Sequence, residues 1–375
     1  MSQGNPSAPT RIPALTGMRF FLAVWVILFH GRDWVHQPQL LGIVERGYLG
    51  VDFFFTLSGF ILAHVYWKSA VESPLSLVGY LRFVQKRFAK IWPVHLATFL
   101  VVFVIFLKGA GNVDRDSFCG IANNLLMLDA WGLYSRACNA WNHPSWSISA
   151  EWFAYLFLFP LGAWMLRSVG KRWMGVATLL SWLGLLAYCR WGLEVHGIGI
   201  SRFGFGIVRI VPEFLAGMWA YQLTTRFGDR IGKYGGFAAL PLLAAMLAGL
   251  LLRWEYVDYL LLPCLMAVIL WLGTGNGWVH MALGAKPMVY LGNISYSMYM
   301  VQFPCMLVLG ILWPRISSLL GLNPDLVSNG GSAFVYMLLL LLLATLAGAL
   351  SYHVIEEPCR KLISRIGQKR HTPAT

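Results

Sequence analysis

Charge is scarce in this chain. Only 12% of its 375 residues are Asp, Glu, Lys or Arg, about half the share of an ordinary soluble domain. Acids are the scarcest, with 16 Asp and Glu against 29 Lys and Arg. Such a composition excludes a soluble globular protein with a solvated surface. Cysteine is sparse too. The six thiols, at Cys119, Cys138, Cys189, Cys264, Cys305 and Cys359, form no CxxC pair. That argues against zinc-ribbon and dithiol redox chemistry, and no metal site is expected. Pro/Ser-rich linkers, low-complexity tracts and clear internal repeats are missing, so nothing divides the chain into separate domains.

Apolar sequence fills the space. Hydrophobic residues make up 58% of the chain and aromatics 15%, with a mean hydropathy of +0.62. Runs long enough to cross a bilayer recur along the whole length. They fall at 14–31, 48–67, 91–108, 147–166, 173–189, 205–223, 236–252, 257–272, 287–311 and 331–354. The expected fold is therefore all-α, a polytopic transmembrane helical bundle of about ten helices. The polar start "MSQGNPSAPT" reads as a flexible tail over 1–10. The membrane domain fills 11–361, and a basic tail covers 362–375. The first apolar stretch runs straight into further spans, which argues against a cleaved signal.

The net charge is +13. In a multispan protein this reads as the positive-inside bias, and no nucleic-acid partner is implied. Most Lys and Arg fall on inner segments when both termini are cytoplasmic, and the C-terminal tail then lies against anionic lipid. Cys119 and Cys138 share the longest outer loop, about 109–145 on the span limits above. A disulfide and two free thiols are both open there.

Ionisable groups inside apolar segments need a reason. The first span, "RFFLAVWVILFH", opens on Arg19 and closes on His30. Eleven helical residues bring both to nearly one face, roughly 16 Å apart. They can line one cavity at two depths, or act as a snorkelling anchor and an interfacial histidine. Asp52 sits in "GVDFFFTLSGF", where it can orient a histidine or cap a helix. Beside it, the small pair Ser58-Gly59 allows a second helix to approach closely. Arg82, Lys86, Arg87 and Lys90 share a helix face that suits a phosphorylated ligand, or simply supply inside charge. Glu151, in "PSWSISAEWFAYLFLFP", must be ion-paired or face a site. Asn293, Ser295, Tyr296, Ser297, Tyr299 and Gln302 form a polar stripe, for a cavity or for interhelical hydrogen bonds. Glu356 and Glu357 before Pro358 most simply end a helix.

Together these segments resemble the acyltransferase 3 family of bacterial membrane acyltransferases. The resemblance runs over 11–361 and rests on the ordered set: Arg-x10-His in the first span, "GVDFFFTLSGF", "KRFAKIWPVH", "PSWSISAEWFAYLFLFP" and "LGNISYSMYMVQFP". It implies O-acylation of a carbohydrate or related hydroxyl by acyl-CoA, most commonly acetyl-CoA, at a bacterial cytoplasmic membrane, with no bound cofactor. The family's Arg-x10-His pair falls on Arg19 and His30. Its Arg-x-x-Arg motif falls on Arg87 and Lys90, where lysine keeps the charge and loses the bidentate fork. His30 is then the general base, supported by Asp52 or Glu151. Arg19, Arg87 and Lys90 hold the CoA phosphates or oppose developing negative charge, with Arg19 placed among the catalytic residues and Arg82 and Lys86 beside Arg87 and Lys90 for the donor. A cavity running from Arg19 to His30 would let the acyl group cross. The extra C-terminal esterase-like domain of some members is not expected. A rival reading is a transporter or flippase of a glycan or lipid carrier, which would leave its substrate unchanged.

Overall fold

The computed structural model describes residues 12–35, 41–110, 115–132, 141–195, 197–198 and 205–366, and its regular structure is entirely helical. The expected all-α bundle is what forms. The chain opens with α1 (Pro13–Val35), the short α2 (Leu41–Glu45), α3 (Leu49–Tyr66) and α4 (Leu77–Ile105). Then come α5 (Arg115–Leu125), α6 (Ser145–Phe153), α7 (Phe159–Trp164) and α8 (Lys171–Ala187). The second half holds α9 (Phe205–Leu251), α10 (Leu261–Thr274), α11 (Trp278–Leu283), α12 (Lys286–Leu319), α13 (Gly330–Ser351) and α14 (Glu357–Arg365). The Cys119–Cys138 pairing and the tail at 1–10 lie outside the described residues. So does most of the C-terminal tail.

Local signals start several helices. Ser76 caps α4 by accepting from the Gly79 N–H at 3.1 Å, and Asn329 caps α13 by accepting from the Ser332 N–H at 3.0 Å. Pro287 sits in the first turn of α12, where a missing N–H costs nothing.

Among the described residues, eight helices are long and apolar enough to cross a membrane. They differ from the ten expected segments in two places. The α8 helix, matching 173–189, is not among them, although it continues through a π-helical turn to Gly192. The α9 helix holds both 205–223 and 236–252. At about 1.5 Å per residue it is roughly 70 Å long, over twice the hydrocarbon thickness. It is broken at Phe227, whose φ of −125° and ψ of 15° are not helical.

Lipid and core faces separate cleanly on α13. Tyr336, Leu340, Ala344 and Gly348 are buried at four-residue spacing, while Leu338, Leu342, Leu346 and Leu350 are exposed at the same spacing. The buried stripe packs on α12. The exposed one needs hydrocarbon around it, as expected of a multi-pass membrane protein.

The close approach predicted at Ser58-Gly59 is made to α9. A Cβ at Gly59 would collide with the Phe214 carbonyl, and a Cβ at Gly217 would collide with the Thr56 carbonyl. Here α3 and α9 cross backbone to backbone. Gly217→Ala should therefore destabilise the protein by about 3 kcal/mol as the helices part. Gly184→Ala should not, because nothing lies within 4 Å of that position on α8. Thermal unfolding of both variants in detergent checks this. Equal melting temperatures would remove the crossing as a constraint.

Candidate active site

Two adjoining cavities open among α1, α3, α4, α6 and α12. The inner one, about 800 Å³, is lined by Ser58 on α3, Ser147 and Glu151 on α6, and Tyr296 and Tyr299 on α12. The outer vestibule, about 1210 Å³, is lined by Lys86 on α4, Asn293 on α12, and Glu356 and Arg360 near the C-terminal end. Arg19, Arg87 and Lys90 line both. Arg87 and Lys90 share a face of α4 because they are three residues apart, and α1 brings Arg19 to the same lining.

Their electrostatics stand out. None of the three enters a salt bridge among the described residues. The Arg87 Nε is buried without a hydrogen-bond partner. Its guanidinium lies 5.8 Å from the Tyr66 ring centroid and 5.9 Å from those of Phe83 and Tyr155. Unpaired charge in an apolar bundle is costly. The three cations share the two cavities with the carboxylates of Glu151 and Glu356.

The carboxylates on these cavities are held by hydroxyls. Glu151 accepts from Ser58 Oγ at 2.5 Å and from the Tyr155 hydroxyl. Glu356 accepts from Ser297 Oγ at 2.7 Å. A π-helical turn follows Glu151 (Ala154–Leu158), and another ends at Glu356 (Tyr352–Glu356). Such turns shift the register of the side chains that follow.

His30 lies elsewhere. It lines a third, smaller cavity of about 340 Å³ with Asp33, Trp34, His143, Gln302 and Phe303. Its Nδ1 is 3.0 Å from Gln302 Oε1. Gln302 Nε2 donates to the Tyr299 carbonyl at 2.9 Å, which fixes the amide orientation. Oε1 must then accept, so Nδ1 carries the proton and Nε2 keeps its free lone pair. His143 stands edge-on to His30 with ring centroids 5.1 Å apart. Burial pushes the His143 imidazole down, so it is neutral near pH 7. Its loop is pinned by buried Asn142, which donates to Thr98 Oγ1 at 3.0 Å and the Met300 carbonyl at 3.1 Å.

Residues of the inner cavity, Ser147 and Tyr299, meet Pro144 of this one. Tyr299 OH and Ser147 Oγ are 2.6 Å apart, and Tyr299 OH also donates to the Pro144 carbonyl at 3.3 Å. The continuous cavity expected from Arg19 to His30 is thus interrupted at Tyr299.

The polar residues divide accordingly. Arg19, Arg87, Lys90 and Glu151 come together, with Lys86 at the edge. Arg82 is exposed, one turn further out, and lines neither cation-bearing cavity. Neither acid expected to support His30 hydrogen-bonds to it. Asp52 faces α9 instead, where Arg209 takes both its oxygens: Nε to Oδ1 and Nη2 to Oδ2, each at 2.6 Å. Asp52 is no cap either, since Tyr48 holds the cap position of α3. Gln302 stands beside His30 where a carboxylate was expected.

Residues 12–354 match the family described as "Acyltransferase domain". The chain belongs to the acyltransferase 3 family. Over 383 residues it is 27% identical to the acyltransferase MdmB of Streptomyces mycarofaciens, covering 96% of this chain and 94% of that one. Over 388 residues it is 24% identical to the O-acetyltransferase OatA of Staphylococcus aureus, covering 94% of this chain and 58% of OatA. No solved structure matches the chain. This acyltransferase is a membrane O-acyltransferase, which sets aside the transporter reading. Sequence reasoning missed His143, Arg209 and Glu356 as site or scaffold residues of the acyltransferase. Arg209 and Glu213, both buried, carry the signal used for Glu151: charge inside an apolar run, "IVRIVPEFLAG".

Proposed function

We propose that this protein transfers an acyl group, acetyl in the first instance, from acyl-CoA to a hydroxyl of a carbohydrate such as an exopolysaccharide, O-antigen or lipid-linked glycan, at a bacterial cytoplasmic membrane. The observation that carries the donor assignment is the trio of unpaired cations, Arg19, Arg87 and Lys90, on adjoining cavities. Phosphates of CoA neutralise them through charge-assisted hydrogen bonds. The pantetheine arm then runs through the inner cavity and carries the thioester toward the Tyr299 wall.

The acceptor enters the third cavity, beside Trp34 and Phe303. His30 Nε2 takes the proton of the acceptor hydroxyl. The oxygen attacks the thioester carbonyl, the C–S bond breaks, and the CoA thiolate takes the proton back from the imidazolium. The Tyr299–Ser147 contact opens for the acyl group to pass. Direct transfer needs no acyl-enzyme intermediate, and among the described residues no cysteine lines the three cavities.

The test feeds acetyl-labelled acetyl-CoA to membranes containing wild type or Arg87→Ala. Label should enter a glycan or glycolipid fraction with wild type. In the variant the KM for donor should rise roughly tenfold or more, the worth of a hydrogen bond to a charged group. A variant with an unchanged KM would remove the cation trio from donor binding. Absence of label in any fraction with wild type would sink the acetyl-CoA assignment.

A further inference from the structure

The C-terminal helix α14 is built into the vestibule. Tyr352, Glu356, Arg360 and Ser364 recur every four residues and all line it, with Lys361 beside them. The helix is fastened to α4, the element that carries Lys86, Arg87 and Lys90. Gln85 Nε2 donates to the Ile363 carbonyl at 2.7 Å and to the Ile366 carbonyl at 2.9 Å, satisfying carbonyls at the end of α14. α14 thus lines a cavity that Lys86, Arg87 and Lys90 of α4 also line.

The charge on that cavity is one-sided. Arg19, Lys86, Arg87, Lys90, Arg360 and Lys361 face Glu356 as the only acid among its lining residues. Arg360 and Lys361 are both held by Glu357, Lys361 at 3.0 Å. Glu357 stands outside the lining and keeps the two cations side by side at its edge. A carboxylate there occupies the position a stronger anion can take.

We infer that the vestibule holds the nucleotide end of the donor, with Arg360 and Lys361 gripping its 3′-phosphate and Glu357 acting as the anion it displaces. The inference rests on acyl-CoA being the donor. The thioester end must point toward the Tyr299 wall, so the diphosphate falls near Arg19, Arg87 and Lys90. The 3′-phosphate, at the far end of the molecule, then falls under α14. A phosphate dianion outcompetes a single carboxylate for a guanidinium and an ammonium together.

The test measures equilibrium binding of CoA and 3′-dephospho-CoA to the full chain in phosphatidylcholine nanodiscs. Wild type should bind CoA roughly tenfold or more tightly than its dephospho form, the fold-change of a charge-assisted contact. Arg360→Ala with Lys361→Ala should erase that preference and leave dephospho-CoA binding unchanged. Glu357→Gln should move the other way, tightening CoA alone, which keeps the test decisive if the alanine variant misfolds. Equal wild-type binding of the two nucleotides overturns the inference while leaving the donor assignment intact. So does a variant that weakens both equally, which marks α14 as scaffold. Binding of neither nucleotide overturns the inference together with the donor reading. A site for lipid phosphate gives equal binding of the two nucleotides and, in nanodiscs of phosphatidylcholine mixed with phosphatidylglycerol, a loss of phosphatidylglycerol enrichment around the alanine variant, which also overturns it.

Discussion

His30→Ala should lower acyl transfer by about 10²–10⁴-fold, the usual worth of a positioned general base. Binding of CoA should not change, because His30 lines neither cation-bearing cavity. That split between rate and donor affinity separates a base from a packing residue. Gln302 acts through His30 as a positioning residue. Gln302→Leu removes the acceptor for Nδ1–H, frees the tautomer and should cost about tenfold in kcat, near the worth of one hydrogen bond. Gln302→Glu still offers an acceptor oxygen and should recover most of that rate. Both are read from labelled-acetyl transfer beside CoA binding on the same preparation. Transfer that persists in His30→Ala would take the imidazole out of the chemistry. A dead Gln302→Glu would mean that the amide does more than accept a hydrogen bond.

Breaking the Asp52–Arg209 pair should be the largest stability effect. Both side chains are buried, at 0% and 2% exposure. Removing one partner leaves an uncompensated charge inside the bundle, at a cost of about 3–5 kcal/mol. Arg209→Met and Asp52→Ala should each lower the unfolding midpoint sharply. The double variant Asp52→Leu with Arg209→Met should recover much of the loss, because apolar replacement of a whole buried pair is often neutral. Glu213 complicates the site usefully. Neither of its oxygens has a hydrogen-bond partner, but it lies within coulombic reach of Arg209, so it offsets part of the charge that Asp52→Ala uncovers and makes Arg209→Met the costlier single change. Thermal unfolding in one detergent, with transfer normalised to folded protein, decides the matter. If Asp52→Ala melts like wild type and loses transfer, the carboxylate belongs to the chemistry.

Much of the scaffold was legible in one dimension. Apolar runs specify helices because a backbone in hydrocarbon must satisfy its own hydrogen bonds. Their lengths placed nearly every long helix. At α9 two expected segments share one helix that is broken between them at Phe227, and at α8 the expected segment is not among the eight long apolar helices. The charged residues were legible as anomalies, since Arg19, Arg87, Lys90 and Glu151 have no reason to sit in apolar sequence unless they face something polar. Arg82, on the same stretch of α4, differs only in rotation and depth.

The partners were not legible. Asp52 and His30 are 22 positions apart in adjacent segments, and the pairing looked natural. Packing instead presses α3 against α9, so the acid meets Arg209, 157 residues away in sequence. Gln302 reaches His30 across 272 residues because α12 packs along α1. Sequence by itself determined the helical membrane fold, the family and the cast of polar residues, because cost in hydrocarbon is a property of each residue alone. Only the tertiary structure decided which of them share a cavity, that Arg19, Arg87 and Lys90 line different cavities from His30, and that α14 lines the vestibule. Those are properties of pairs, set by which helix faces meet.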